Sequence, residues 1–199
     1  TISGNPAARD GGGVHNASNA TFTMEDGSIS GNTATGNGGG VWNSGAFTME
    51  DGTISGNKAS NDGGGVHINS GTFTMEDGAI SGNMATRDGG GVWNAGTFTM
   101  EKGLISGNAV SNDGGGVWSA GTFTMEKGTM KGGTISGNTA TNGAGVRNGG
   151  TFTMEDGVIS GNKAYYGGGV WNRSMFTMKD GAISGNKAAY GGGMRNDSK

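Results

Sequence analysis

"GTFTMEDGAISGNMATRDGGGVWNA", residues 71–95, is a unit that returns down the whole chain with few changes. The isoleucine of "ISGN" recurs as Ile2, Ile29, Ile54, Ile80, Ile105, Ile135, Ile159 and Ile183. The valine after the glycine triplet recurs from Val14 to Val170, with Met194 in the eighth copy, and the phenylalanine of "FTM" from Phe22 to Phe176. Spacings are 24–27 residues, apart from one of 29–30 at the insertion "TMKGG", residues 129–133. Between the asparagine of "ISGN" and the glycine triplet stand five residues in the first five copies and four in the last three. The array therefore divides into two sub-families, joined at the insertion. A fixed period of this length marks a solenoid or array architecture.

Each copy holds three short strand-like pieces, "TFTM", "xISGN" and "GGVWN", separated by glycine-rich or charged turns. "TFTM" alternates with period two, Phe and Met on one face and Thr on the other. A 3.6-residue apolar period is missing, and each glycine would weaken a helix by about 1 kcal/mol. Three strands per turn, stacked copy on copy, predict an all-β chain: a single right-handed parallel β-helix of about eight coils. One coil buries little by itself, so stability has to come from contacts between neighbours. Columns of Phe, Met, Ile and Val would form the core, with small residues such as Ala34, Ala59 and Ala85 at a tight inward corner. The invariant asparagine (Asn5, Asn32, Asn57, Asn83, Asn108, Asn138, Asn162, Asn186) is expected to hydrogen-bond from coil to coil through its amide.

Composition narrows the function classes. The 199 residues include 47 Gly, one Pro and no Cys, with 31% hydrophobic and 15% charged residues and a net charge of −3. Low apolar content with abundant glycine would suit a disordered chain, but the strict spacing of the apolar residues argues against it. The charge balance invites neither nucleic acid nor anionic lipid, and no apolar run approaches membrane-spanning length. Without Cys there are no disulfides or thiolate metal sites. Thr1 opens in mid-motif, so residues 1–199 read as one repeat domain within a longer exported protein. Unpaired strand edges at its two ends would then favour end-to-end self-association.

"ISGNTATGNGGGV", residues 29–41, resembles the paired FxxN and GGA(I/L/V) motifs of chlamydial polymorphic membrane proteins, with Ile in place of Phe and Gly in place of Ala. It is also similar to the long glycine-rich β-helix repeats of many bacterial surface proteins. The resemblance runs the length of the chain and its motifs are structural. It implies an extracellular or cell-surface location and the role of an adhesin or autotransporter-type stalk, with a host glycan or protein as partner. It carries over no catalytic residue.

Three outward columns are candidate sites. The position after the valine reads His15, Trp42, His67, Trp93, Trp118, Arg147, Trp171, Arg195, and it holds all four tryptophans. Trp42, Trp93, Trp118 and Trp171 could form an aromatic strip for a glycan or protein, or could simply stack and stiffen the wall. The turn after "FTM" carries Glu25-Asp26, Glu50-Asp51 and Glu76-Asp77 on successive coils, an oxygen-rich arrangement that could hold Ca²⁺ or stay a solvated turn. Third, Thr21, Thr23, Thr48, Thr72, Thr74, Thr97, Thr99, Thr122, Thr124, Thr151, Thr153 and Thr177 face outward from "TFT". This rank, interrupted by Ala46 and Met175, is similar to the TxT arrays of insect antifreeze proteins and would make ice the alternative partner. Threonine also suits any solvated strand face. Enzymes built on β-helices gather non-repeated acids and bases in a cleft, whereas here almost every charge belongs to a column. The glycine triplets lack the Lys-Ser/Thr of a phosphate loop. A non-enzymatic protein without cofactor is expected.

Overall fold

Strict recurrence of the strand pieces translates directly into register. The computed structural model describes residues 1–127 and 132–198. Every strand pairs in parallel with its equivalent one coil away: Ile29 with Ile54, Phe73 with Phe98, Val66 with Val92. The result is an all-β parallel solenoid of eight coils whose described residues include no helix.

Four sheets run along its sides, where three strands per coil were expected. An eight-stranded Ile sheet collects pieces such as Thr53–Ser55, and an eight-stranded Trp sheet collects pieces such as Val92–Asn94. A seven-stranded Thr sheet collects pieces such as Thr72–Met75. The fourth sheet has five two-residue strands, Pro6–Ala7, Thr33–Ala34, Lys58–Ala59, Met84–Ala85 and Ala109–Val110. It forms because the corner after the asparagine also bonds its backbone to the next coil; Lys58 N–H donates to Asn32 O at 2.9 Å. In coils six to eight, one residue shorter at this corner, it is reduced to single bridges, Thr139 with Lys163 and Lys163 with Lys187.

The core is the set of columns. Phenylalanine rings from Phe22 to Phe176 stack with centroids 4.6–5.0 Å apart. Met49, Met75, Met100, Met125 and Met154 form a second buried column beside the Ile and Val columns. Ala85, Val110 and Ala140 line the inner side of the short corner. Met178, on the last strand of the Thr sheet, is 44% exposed, unlike the methionines of the coils before it.

The expected asparagine ladder is complete from Asn5 to Asn186. Asn57 Nδ2 donates to Asn83 Oδ1 at 3.0 Å and to Ile29 O at 2.9 Å, while its Oδ1 accepts both the backbone N–H and Nδ2 of Asn32. Both amide hydrogens and the oxygen are thus used, so the polar group is buried without penalty. The glycine triplet completes the corner. Gly63 holds φ +67°, and a Cβ on Gly65 would lie 2.7 Å from Gly91 O and 3.0 Å from Asn83 Nδ2. The first position therefore needs left-handed backbone, and the third needs an empty side where the ladder passes.

The insertion, residues 129–133, falls in sequence between a strand of the Thr sheet and one of the Ile sheet; residues 128–131 lie outside the described residues. Across it the register is kept: Thr122 pairs with Thr151 and Phe123 with Phe152. The two sub-families thus share one continuous core.

Candidate functional site

The Trp sheet turns every second residue outward, which puts the tryptophans on one wall. They meet face to face along the axis. His15 stacks on Trp42 at 4.3 Å, His67 on Trp93 at 4.2 Å, and Trp93 on Trp118 at 5.0 Å with 7° between planes. Arg147 lies over Trp171 at 4.3 Å, and Arg195 is 5.5 Å from the same ring on the next coil. All four tryptophans are half-buried. Trp93 has both faces covered, so solvent meets its edge.

Two members of this column were expected to face water and do not. His67 is only 4% exposed and Arg147 8%. His67 is shorter than Trp42 and Trp93, its partners on the adjacent strands, and lies under the Trp93 ring. Burial lowers its pKa to about 4, and its Nδ1 has no hydrogen-bond partner. Arg147 is held by Asn148 O at 2.8 Å and by Asp113 Oδ2 at 3.4 Å.

Across the glycine corner runs a column that pattern reading passed over, the residue before each triplet: Asp10, Asn37, Asp62, Asp88, Asp113, Asn142, Tyr166, Tyr190. Its carboxylates accept backbone N–H groups from the next coil. Asp62 Oδ1 accepts from Asp88 N–H at 3.2 Å, and Asp88 Oδ1 from Asp113 N–H at 3.2 Å. Burial raises the pKa of both Asp62 and Asp88, and the neighbouring Asp113 carboxylate adds to the rise at Asp88. Its recurrence before every triplet was the available signal. A second amide ladder was also missed, on the third residue of the Trp sheet, where Asn16 donates to Asn43 Oδ1 at 2.8 Å and Asn148 to Asn172 Oδ1 at 2.7 Å. Ile68 breaks it, and Asn94 Oδ1, which would accept from that position, is left without a partner.

The threonines lie in two ranks on the Thr sheet. One is unbroken: Thr23, Thr48, Thr74, Thr99, Thr124, Thr153 and Thr177 pair in register. The other runs Thr21, Ala46, Thr72, Thr97, Thr122, Thr151, Met175. Thr72, Thr97 and Thr122 are exposed, while Thr74, Thr99 and Thr124 are half-buried.

At the acidic turns, Asp51 Oδ1 accepts the N–H of Gly52 at 2.6 Å and Asp77 Oδ1 that of Gly78 at 2.8 Å. The aspartates thereby shape the turn for a glycine with positive φ. Among the described residues no three carboxylate or imidazole side chains converge as a metal would require.

The fold and its ladders define a parallel β-solenoid built from one repeated unit. Residues 26–44, one corner with its flanking strands, match the family model of the Chlamydia polymorphic membrane protein repeat. No curated protein matches the chain, and no solved structure does.

Proposed function

We propose that the chain is a non-enzymatic β-helix stalk of a bacterial surface or secreted protein, with an adhesive role. The observation that carries this reading is the match at residues 26–44, because the Ile-sheet and Trp-sheet strands it covers recur in all eight coils. A rod of identical rungs serves extension and display, and its regular walls repeat one chemistry along their length. Almost every titratable group is a member of a column, which suits a wall better than a catalytic cleft. Antibody against residues 71–95 tests the location: intact cells of the source organism should stain, and external protease should remove the stain. Staining only after permeabilisation would overturn the reading. For the adhesive part, beads coated with the chain should bind host cells above albumin-coated beads, and equal binding would remove that role.

The in-register threonine ranks favour one alternative, ice binding. A lattice is matched by many weak contacts held at fixed spacing, and a parallel sheet repeats its rungs about every 4.8 Å. Thr97→Tyr or Thr99→Tyr should then abolish thermal hysteresis without unfolding the chain. Absence of ice shaping by the unmodified protein at high concentration would eliminate this alternative.

A further inference from the structure

The net charge of −3 conceals a polarity along the axis. Residues 1–127 carry 5 Lys and Arg against 12 Asp and Glu, net −7, whereas residues 128–199 carry 8 against 4, net +4. On the wall made by the short corner and the Trp sheet, coils one to five are near balance, with Arg9, Lys58 and Arg87 against Asp10, Asp62, Asp88 and Asp113, and only the later coils are basic. In coils six to eight this wall holds Arg147, Lys163, Arg173, Lys187 and Arg195 against one acid, Asp197.

Two of these cations are committed to the framework. Arg147 is buried against Trp171 and Asp113. Arg195 is bonded to Asp197 at 2.8 Å and stacked 4.3 Å from the Tyr166 ring. Asp197 in turn accepts the Trp171 indole N–H at 2.8 Å, so arginines, aromatic rings and carboxylate brace one another. Lys163, Lys187 and Arg173 are exposed and form no ion pair among the described residues. Beside them Tyr165 is 51% exposed, its ring fixed edge-on against Tyr166 at 4.6 Å.

We propose that Lys163, Lys187, Arg173 and Tyr165 form a binding surface for a linear anionic polysaccharide lying along the solenoid axis. Lys163 and Lys187 are bridge partners in coils seven and eight, following Thr139 in coil six, so two free cations stand about 4.8 Å apart in a column along the axis. A column suits a polymer carrying one charge per sugar, whereas a small anion needs donors that converge. Tyr165 supplies an apolar ring for the C–H face of a sugar, as aromatic side chains do in polar recognition surfaces. The proposal rests on the surface reading above, which brings this wall to extracellular polymers.

The test uses the whole chain at physiological ionic strength. The probes are a heparin oligosaccharide, polygalacturonate, neutral dextran, single-stranded oligothymidylate and phosphatidylserine vesicles. The two acidic polysaccharides should bind and dextran should not. Lys163→Glu with Lys187→Glu should lower the affinity roughly tenfold or more and flatten its salt dependence. Tyr165→Ala should weaken binding with an unchanged salt slope. Lys58→Glu, at the same column in coil three, should change nothing. Urea midpoints confirm folding, and Lys163→Ala with Lys187→Ala replaces any variant that fails to fold. Absence of binding to both polysaccharides, an equal loss with Lys58→Glu, or tighter binding to the oligonucleotide or vesicles would overturn the proposal. A surface-displayed chain that ignores these probes sinks this inference alone; binding by a chain found only inside cells sinks the surface reading instead.

Discussion

In coils one to five, five residues lead from the ladder asparagine to the glycine triplet, and the corner carries a two-residue strand and a column of Asp or Asn. In coils six to eight, four residues make the same turn with single bridges, and tyrosines take over the column at Tyr166 and Tyr190. Yet Phe123 stacks on Phe152 across the junction at 4.8 Å, as closely as within either block. The deletion changes the wall and leaves the core untouched. The reason is that the asparagine ladder before the corner and the glycine backbone after it are bonded to the next coil independently, so length differences stay between them.

The strongest check of that separation is in the core. Phe98→Ala and Phe152→Ala, both 0% exposed, should each cost about 3–5 kcal/mol in chemical denaturation, because the neighbouring rings lose their partner. A much smaller loss at Phe152 would show that the second block packs less well than the first.

Asn138→Ala probes the first rung of the second block. It would leave the backbone N–H and Nδ2 of Asn108, now bonded to Asn138 Oδ1 at 2.9 and 3.1 Å, without an acceptor. A loss of about 3 kcal/mol is expected, with Asn57→Ala similar. If Asn138→Ala costs under half as much as Asn57→Ala, the ladder is not continuous across the insertion in solution.

His67 makes the blocks differ in their response to acid. Its pKa falls from the ordinary 6.5 to about 4 on folding because burial disfavours the charged ring. The stability it contributes is whole above pH 6.5 and is lost as pH falls through about 4, up to about 3 kcal/mol. His67→Trp, which copies the neighbouring coils, should flatten the urea midpoint over that window. The equivalent place in coil six is Arg147, which has no such titration there. An unchanged pH profile in the variant would exclude His67 as the acid-sensitive group.

Smaller effects belong to the outer columns. Asp88→Asn places in coil four the residue found naturally as Asn37 and Asn142, and still offers an Oδ1 to Asp113 N–H. Since the folded pKa of Asp88 is raised, its charged form opposes folding at pH 7 and not below about pH 3.8. The variant should gain about 0.5 kcal/mol at neutral pH and nothing at pH 3. Glu101→Ala should change stability by less than about 0.5 kcal/mol.

Periodicity was enough to place the strands, the four core columns and the asparagine ladder, because stacking puts like residues over like and their chemistry then dictates which side they face. The parallel sheets and eight coils followed from the same repeat. The fourth sheet lay beyond it, since a two-residue strand has no apolar alternation and exists only through backbone bonds to the next coil. Facing along the Trp wall was also decided in three dimensions: His67 and Arg147 are outward by alternation, yet neighbouring rings and Asp113 enclose them. So was the basic aromatic wall of coils six to eight. Lys163, Tyr165 and Trp171 are near in sequence, but Lys187 and Arg195 join them only because one coil lies on the next, and the free cations stand out only once the ion pairs are drawn.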